Sequence, residues 1–346
     1  KKIPGLEVMY IGTKKGLEAD IVPKEGFRFE TVEVESLPRS ISLKTLRTAY
    51  KLFSGLRGAR LLLKSFRPQV VVGTGGYVCG PVVLMAALAG IPTVIHEQNA
   101  LPGITNKLLA RFVKTVLVTF PESKQHFPTK AKVEVTGLPV RPGILAVSRE
   151  QGVRALGLDP RKFTILVTGG SRGARSINLA VAELVQHIAQ RRDVQMIVAT
   201  GTATHEEFMT KVEEQGVDLT TVKNIIVKPY IYEMQEALAA ADLCICRAGA
   251  AFLSELLVKG KPSILIPYPF AAENHQEHNA KAIADKGAGL LILDKDLSGE
   301  RLWQEISSLL DNRARLNQMA GAARGLGKPE AMDRISEIIL QVTKND

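Results

Sequence analysis

The sequence predicts an α/β protein built from two parallel-sheet halves, and three observations carry that prediction. Strand-like and helix-like segments alternate along the whole chain. Two short apolar strands run straight into small-residue turns that open amphipathic helices, and a stretch punctuated by proline and glycine divides the chain near its middle.

In the first half, strands are predicted at Glu7 to Ile11, Phe29 to Val34, Val70 to Val72, Thr93 to Ile95, Thr115 to Val118 and Val133 to Val135. In the second they are predicted at Phe163 to Thr168, Gln195 to Ala199, Ile225 to Lys228, Leu243 to Cys246, Ser263 to Ile266 and Gly289 to Ile292. Between the halves, Leu138 to Pro160 is broken by prolines 139, 142 and 160 and glycines 143, 152 and 157, which predicts a hinge and two domains, 1–145 and 146–346. With 346 residues, 45% of them hydrophobic and 23% charged, the chain can bury two cores.

No apolar run reaches the roughly 18 to 20 residues of a membrane span. The longest, Val82 to Ile95, is interrupted by Gly90 and Pro92. The opening residues KKIPGLEV lack the pattern of a secretory leader. Cys244 and Cys246 share one face of a strand and Cys79 lies in a glycine turn, so the three cysteines are expected to be buried in a reducing compartment. His275 and His278 have metal-ligand spacing without a third ligand nearby, so no metal is expected.

Leu243-Cys244-Ile245-Cys246 reads as a central strand covered on both faces. Arg247-Ala248-Gly249-Ala250-Ala251 then turns the chain without bulky groups, leaving the first amides of the next helix free for a phosphate. Glu255, further along that helix, is placed to accept hydrogen bonds from ribose hydroxyls; a solvated glutamate on an ordinary βα unit is the alternative. Phe163 to Thr168, Gly169 to Arg175 and the helix Ser176 to Ala189 repeat the pattern, with Ser171, Arg172 and Arg175 as a donor and cations for a charged leaving group. A nicotinamide site is disfavoured. Gly169-x-Ser171-x-x-Ala174 lacks two of the fingerprint glycines, and the strand ending at Ala199 runs into Thr200-Gly201-Thr202 where a ribose-binding acid is expected.

In the first half, the amides of Gly73 to Pro81 suit a second diphosphate, although glycine clusters also serve plain turns. Glu97 ends a strand at the sheet's carboxyl edge, where it is a candidate base or orienting group, or else caps the turn leading to Thr105-Asn106. Between Glu35 and Glu97 there is no acidic residue, and Arg39, Lys44, Arg47, Lys51, Arg57, Arg60, Lys64 and Arg67 are interleaved with Leu43, Leu46, Tyr50, Phe53 and Leu56. With a formal net charge of +10, that helical stretch suits an anionic membrane surface; a solvated helix is the other reading. Aromatics make up only 5% of residues and form no stacking series, which disfavours nucleic acid.

The motifs GTGGYVCGP (73–81), HEQNALPGITN (96–106), GGSRGAR (169–175), CRAGAAFLSE (246–255) and HQEHNA (275–280) together resemble the bacterial MurG-type transferases of glycosyltransferase family 28. The resemblance implies a GT-B fold, two Rossmann-like parallel-sheet domains facing across a cleft, with the last helix crossing back to the first domain. It implies inverting transfer of N-acetylglucosamine from UDP-N-acetylglucosamine to undecaprenyl-diphosphate-N-acetylmuramyl-pentapeptide, lipid I to lipid II. That step belongs to peptidoglycan synthesis, hence to cell-wall growth, cell shape and division. The implied location is peripheral, on the cytoplasmic face of the plasma membrane, and no cofactor is required.

On that basis the expected donor residues are Ser171, Arg175, Thr202, Ile231, Gly249, Ala250, Glu255, Gln276 and Asn279, and the acceptor residues Gly75, Gly76, Tyr77, Asn99, Asn106 and Arg141. Glu97 is the candidate catalytic group, and Leu43, Lys44, Leu46, Arg47, Tyr50, Lys51 and Phe53 the candidate membrane contacts. Two departures stand out. Leu138 replaces a usual asparagine, and the family's first strand and histidine-bearing glycine loop have no counterpart, so an incomplete sequence is expected and a base on that loop has no position here. A UDP-sugar epimerase of the same fold, or a non-catalytic basic membrane-binding module, are the rival readings.

Overall fold

The computed structural model describes residues 5–34, 43–170 and 172–344, with the side chains of 43–52 outside the description. Among the described residues twelve strands form: β1 (Met9–Gly12), β2 (Arg28–Thr31), β3 (Val71–Gly73), β4 (Thr93–Glu97), β5 (Thr115–Val118), β6 (Val133–Val135), β7 (Phe163–Thr168), β8 (Val194–Ala199), β9 (Ile225–Lys228), β10 (Leu243–Cys246), β11 (Ser263–Leu265) and β12 (Gly289–Leu291). Each predicted strand is present, with ends moved by no more than three residues.

The chain divides into two compact units. One takes Lys1–Glu97, Pro102–Val135 and Ile335–Asp346, the other Gln98–Leu101 and Thr136–Arg334. The change of unit therefore falls at Val135 and Thr136 rather than at 145/146. The segment after it belongs with the second unit because the helices Pro142–Ala146 and Arg149–Ala155 pack on the helix Met234–Ala240. Gly152 lies so close to the Glu236 carbonyl that a Cβ there would overlap it.

In the first unit β3-β4-β5-β6 form a parallel sheet, and β1 pairs with β2 in a separate parallel ribbon. The end of the chain packs within this unit, where Ile338 joins Val94 of β4 and Leu117 of β5 in one apolar cluster. The basic stretch is a single helix, Leu43–Phe66. Its buried stripe, Gly55, Ala59 and Leu63, recurs every four residues and turns one face inward, leaving Phe53, Arg57, Arg60, Leu61 and Lys64 exposed.

In the second unit six parallel strands run in the order β12-β11-β10-β7-β8-β9. Every residue of β7, β8 and β10 is buried, which is why these strands are continuous apolar runs rather than alternating ones. Ile165, Val167, Met196, Val198 and Ile245 pack against Ile177, Val181 and Leu184 of the helix Arg175–Ala189.

Candidate active site

The sheet order sets β7 beside β10, with Thr168 and Cys246, the last residue of each, opposite one another. Connections leave in opposite directions from this pair. That is the switch point at whose carboxyl side open α/β sheets bind ligands. Both small-residue turns singled out in the sequence leave from it.

The turn after β7 is fixed by glycine. Gly170 and Gly173 have φ of +89° and +78°, and the Gly173 amide donates to the Gly170 carbonyl at 2.9 Å. A Cβ on Gly173 would overlap the Thr200 carbonyl, and one on Gly201 would overlap Gly173 itself. Asn178 Nδ2 donates to the Thr200 carbonyl at 2.7 Å and to Thr204 Oγ1 at 3.0 Å, tying the turn after β8 to the helix that follows β7. Gly249, at the start of the helix Ala250–Val258, faces open space, so the amides behind it are accessible from the sheet's carboxyl edge.

A pocket of about 880 Å³ lies over these turns. Gly169, Gly170, Gly173 and Gly249 line its floor, and Ile231, Phe252, Tyr230, Tyr268 and Phe270 supply apolar wall. Four arginines also line it, Arg141, Arg172, Arg175 and Arg247. Arg247 is nearly buried; it donates to Asp294 Oδ1 at 2.5 Å, to Ser176 Oγ at 2.8 Å and to the carbonyls of Ile266 and Pro267. Arg141 Nε and Nη2 donate to the two oxygens of Glu255 at 2.9 and 3.2 Å. Arg175 grips Glu207 through Nε and Nη2, and the carboxylate holds its guanidinium even more firmly protonated.

Of the expected donor residues, Arg175, Ile231, Gly249 and Gln276 line this pocket, and Gln276 Oε1 accepts from the Tyr268 amide at 2.9 Å. Ala250 opens the helix behind Gly249 and Glu255 lies buried on it. Thr202 sits in an exposed turn outside the pocket wall, because it is Gly201 that approaches the β7 turn. Asn279 is 0% exposed, and the chain itself uses its amide. Its Oδ1 accepts from the Ala100 amide at 2.8 Å, while Nδ2 donates to Asn99 Oδ1 and the Ala248 carbonyl, both at 3.1 Å. Arg141, expected on the acceptor side, instead lines this pocket against Glu255. Ser171 lies outside the described residues.

Arg247, Ser176 and Asp294 form a network that residue-by-residue reading passed over. The available signal was position: Arg247 comes directly after β10 and Asp294 three residues after β12, at the carboxyl edge where ligands bind.

In the first unit Gly75 and Gly76 have φ of +92° and +76°, and Gly76 opens the helix Gly76–Leu88 toward free space. Tyr77 beside them is exposed. Cys79 packs beneath this turn, where burial pushes its thiol up to about 11. Glu97 is only 2% exposed; its Oε2 accepts from the Gly103 amide at 3.1 Å and from Asn106 Nδ2 at 2.8 Å. The carboxylate thus anchors the loop leading to Asn106. Of the candidate membrane contacts, Phe53 is exposed, whereas the side chains of Leu43, Lys44, Leu46, Arg47, Tyr50 and Lys51 lie outside the described residues. Among the described residues no three His, Cys, Asp or Glu side chains gather as a metal would need, and no helix is long and apolar enough to cross a membrane.

Two Rossmann-like parallel-sheet halves, the second carrying a pocket of this kind at its switch point, define a GT-B glycosyltransferase. Residues 2–118 match the glycosyltransferase family 28 N-terminal domain and residues 164–335 the glycosyltransferase family 28 C-terminal domain. The UDP-N-acetylglucosamine--N-acetylmuramyl-(pentapeptide) pyrophosphoryl-undecaprenol N-acetylglucosamine transferase of Desulfitobacterium hafniense is 53% identical over 337 residues, 97% of this chain and 91% of that one. The protein of the same name from Moorella thermoacetica is 47% identical over 342 residues, 99% of this chain and 92% of that one. The crystal structure of Acinetobacter baumannii MurG superposes with a TM-score of 0.78 at 30% identity, covering 97% of this chain and 92% of that one. The chain belongs to glycosyltransferase family 28. A UDP-GlcNAc 2-epimerase from Neisseria meningitidis, at 15% identity and a TM-score of 0.65 over 97% of this chain and 91% of that one, shares the fold alone.

Proposed function

We propose that this chain transfers N-acetylglucosamine from UDP-N-acetylglucosamine to undecaprenyl-diphosphate-linked N-acetylmuramyl-pentapeptide, with inversion at the transferred carbon. The observation that carries the reading is the switch-point pocket, where the glycine turn after β7 and the helix start after β10 meet below an apolar wall and beside Arg141, which holds Glu255. A diphosphate fits the two amide-rich turns, a uracil the Tyr230-Ile231 backbone, and a ribose the Glu255 carboxylate. Gln276 reaches the donor sugar.

Charge grows on the departing diphosphate as the glycosidic bond breaks. Preorganised amides and arginine stabilise it, and the reading calls for no cofactor. The acceptor hydroxyl still needs a base. Glu97 serves as the orienting group of the acceptor loop 98–106, and Gly75, Gly76 and Tyr77 receive the acceptor's diphosphate.

Docking to an anionic membrane surface through the helix Leu43–Phe66 brings the lipid-linked acceptor within reach. Its exposed face sets Phe53 and Leu61 among Arg57, Arg60 and Lys64, a pattern that suits anionic headgroups.

The test supplies UDP-N-acetylglucosamine with and without a lipid-linked muramyl-peptide acceptor and follows UDP release and the linkage formed. Acceptor-dependent UDP release with a β-linked product is expected. An epimer or free sugar formed from the nucleotide alone would replace this reading with the epimerase.

A further inference from the structure

Arg247 joins four neighbouring connections at the carboxyl edge of the second sheet. It follows β10; Nη1 donates to the carbonyls of Ile266 and Pro267 after β11 and to Asp294 Oδ1 beyond β12, while Nη2 donates to Ser176 Oγ in the helix after β7. Those strands lie side by side in the order β12-β11-β10-β7. Asp294 Oδ1 closes the set, since it also accepts from Ser176 Oγ at 2.7 Å. Both terminal nitrogens of Arg247 are thereby fixed.

What the fixed guanidinium holds is the loop after β11. Arg247 Cζ lies 5.5 Å from the centre of the Tyr268 ring, and the Tyr268 amide donates to Gln276 Oε1 at 2.9 Å. Between these two residues Glu273 and Asn274 stand at φ +52° and +55°, a left-handed pair without glycine. Backbone of that kind persists only where its surroundings impose it. An amide N–H can meet only the oxygen of the Gln276 side chain, so Nε2 is left as a donor; among the described residues it makes no hydrogen bond within the chain.

We infer that Asp294 is a positioning residue for the transferred sugar: by holding Arg247 it sets the loop 267–274, and with it the Gln276 amide that meets the sugar hydroxyls. This rests on the nucleotide-sugar reading above and adds the residue that orients its sugar end. Asp294 acts through its oxygen, which accepts from both Arg247 and Ser176, and an asparagine oxygen in the same place accepts from both as well. Without that acceptor Arg247 keeps the Ile266 and Pro267 carbonyls but loses its anchor beyond β12. The loop is then free to relax its left-handed pair.

The experiment measures affinity for UDP, UDP-N-acetylglucosamine and its C4 epimer UDP-N-acetylgalactosamine by calorimetry, for the parent chain and for Asp294→Ala, Asp294→Asn and Ser176→Ala, together with hydrogen exchange over residues 267–276. Asp294→Ala is expected to leave UDP within about threefold, to weaken UDP-N-acetylglucosamine by about fivefold or more, to narrow its preference over the epimer by a similar factor and to speed exchange in the loop. Asp294→Asn recovers most of the loss, and Ser176→Ala shows a smaller change in the same direction. An unchanged preference in Asp294→Ala, an equal loss for UDP and the sugar nucleotide, or Asp294→Asn as impaired as Asp294→Ala would overturn the assignment. So would tighter UDP binding in both Asp294 variants, which would make the residue's charge, not its oxygen, the active feature. A parent chain that binds none of the three ligands would instead remove the nucleotide-sugar reading, and the assignment with it.

Discussion

The Arg141 guanidinium holds both carboxylate oxygens of Glu255, Nε to Oε1 at 2.9 Å and Nη2 to Oε2 at 3.2 Å, across 114 residues of sequence. Glu255 is buried while Arg141 is largely open to solvent, so the arginine acts as an exposed clamp on a buried acceptor. A two-point grip fixes the plane of the carboxylate, which is what a ribose with adjacent hydroxyls would read.

Replacing Glu255 by Ala should therefore cost about 1.5–3 kcal/mol of UDP binding, the range for hydrogen bonds to a charged group. Arg141→Ala should cost less, and the double substitution less than the sum, because both act on the same carboxylate. Calorimetry on the four proteins of that cycle measures the coupling. Strictly additive losses would separate Arg141 from the orientation of Glu255.

Asn279→Ala should act on stability before it acts on sugar binding. It strands the Ala100 amide and the Ala248 carbonyl, both buried, at a cost of about 2–4 kcal/mol for two unsatisfied groups. Urea unfolding should show the shift, with greater protease sensitivity at residues 98–101. Undiminished stability together with a higher Michaelis constant for the sugar nucleotide would return Asn279 to the donor site.

Gly201→Ala places a Cβ at φ +80° and into the backbone of Gly173. The strain, roughly 1–3 kcal/mol, has to be relieved by moving the β7 turn. UDP affinity should fall at least as much as stability does. The exposed Thr202→Ala should have a smaller effect on both.

The cysteines should be silent toward thiol reagents near neutral pH. Burial pushes Cys79 up to about 11 and Cys244 up to about 12, and it pushes Cys246 well above its ordinary value. Raised values mean less thiolate at pH 8, and reactivity should climb only toward pH 11. Titration with a disulfide reagent should find no fast-reacting thiol in the native protein and three after unfolding.

Membrane docking predicts co-sedimentation with anionic vesicles and little with neutral ones. Basic residues near the surface contribute about 1 kcal/mol each, an attraction that decays over roughly 8 Å at physiological salt. Arg57→Glu, Arg60→Glu and Lys64→Glu combined should abolish the preference, whereas high salt should reduce binding without removing the share due to Phe53 and Leu61. Equal sedimentation of parent and triple variant would leave this face to solvent.

The sequence by itself determined the twelve strands, the two glycine turns and the helix starts after them. These follow from local rules: unbroken apolar runs for strands covered on both faces, and small residues where the chain turns sharply. It also named four of the donor residues that line the pocket, Arg175, Ile231, Gly249 and Gln276, since the turns after parallel strands end up at the carboxyl edge wherever those strands lie in the sheet. Only the tertiary structure decided that β7 and β10 are neighbours, which sets two turns almost eighty residues apart over one pocket. Only it decided the charge partners. Arg141 reads alike in sequence whether it faces an acceptor or Glu255, Arg175 gives no sign of Glu207, and Asn279 none of the loop at Ala100. Ion pairs and buried amide contacts join residues brought together by strand order, and no local periodicity encodes that order; the chemistry of each side chain is legible in the sequence, but the partner that neutralises it is not.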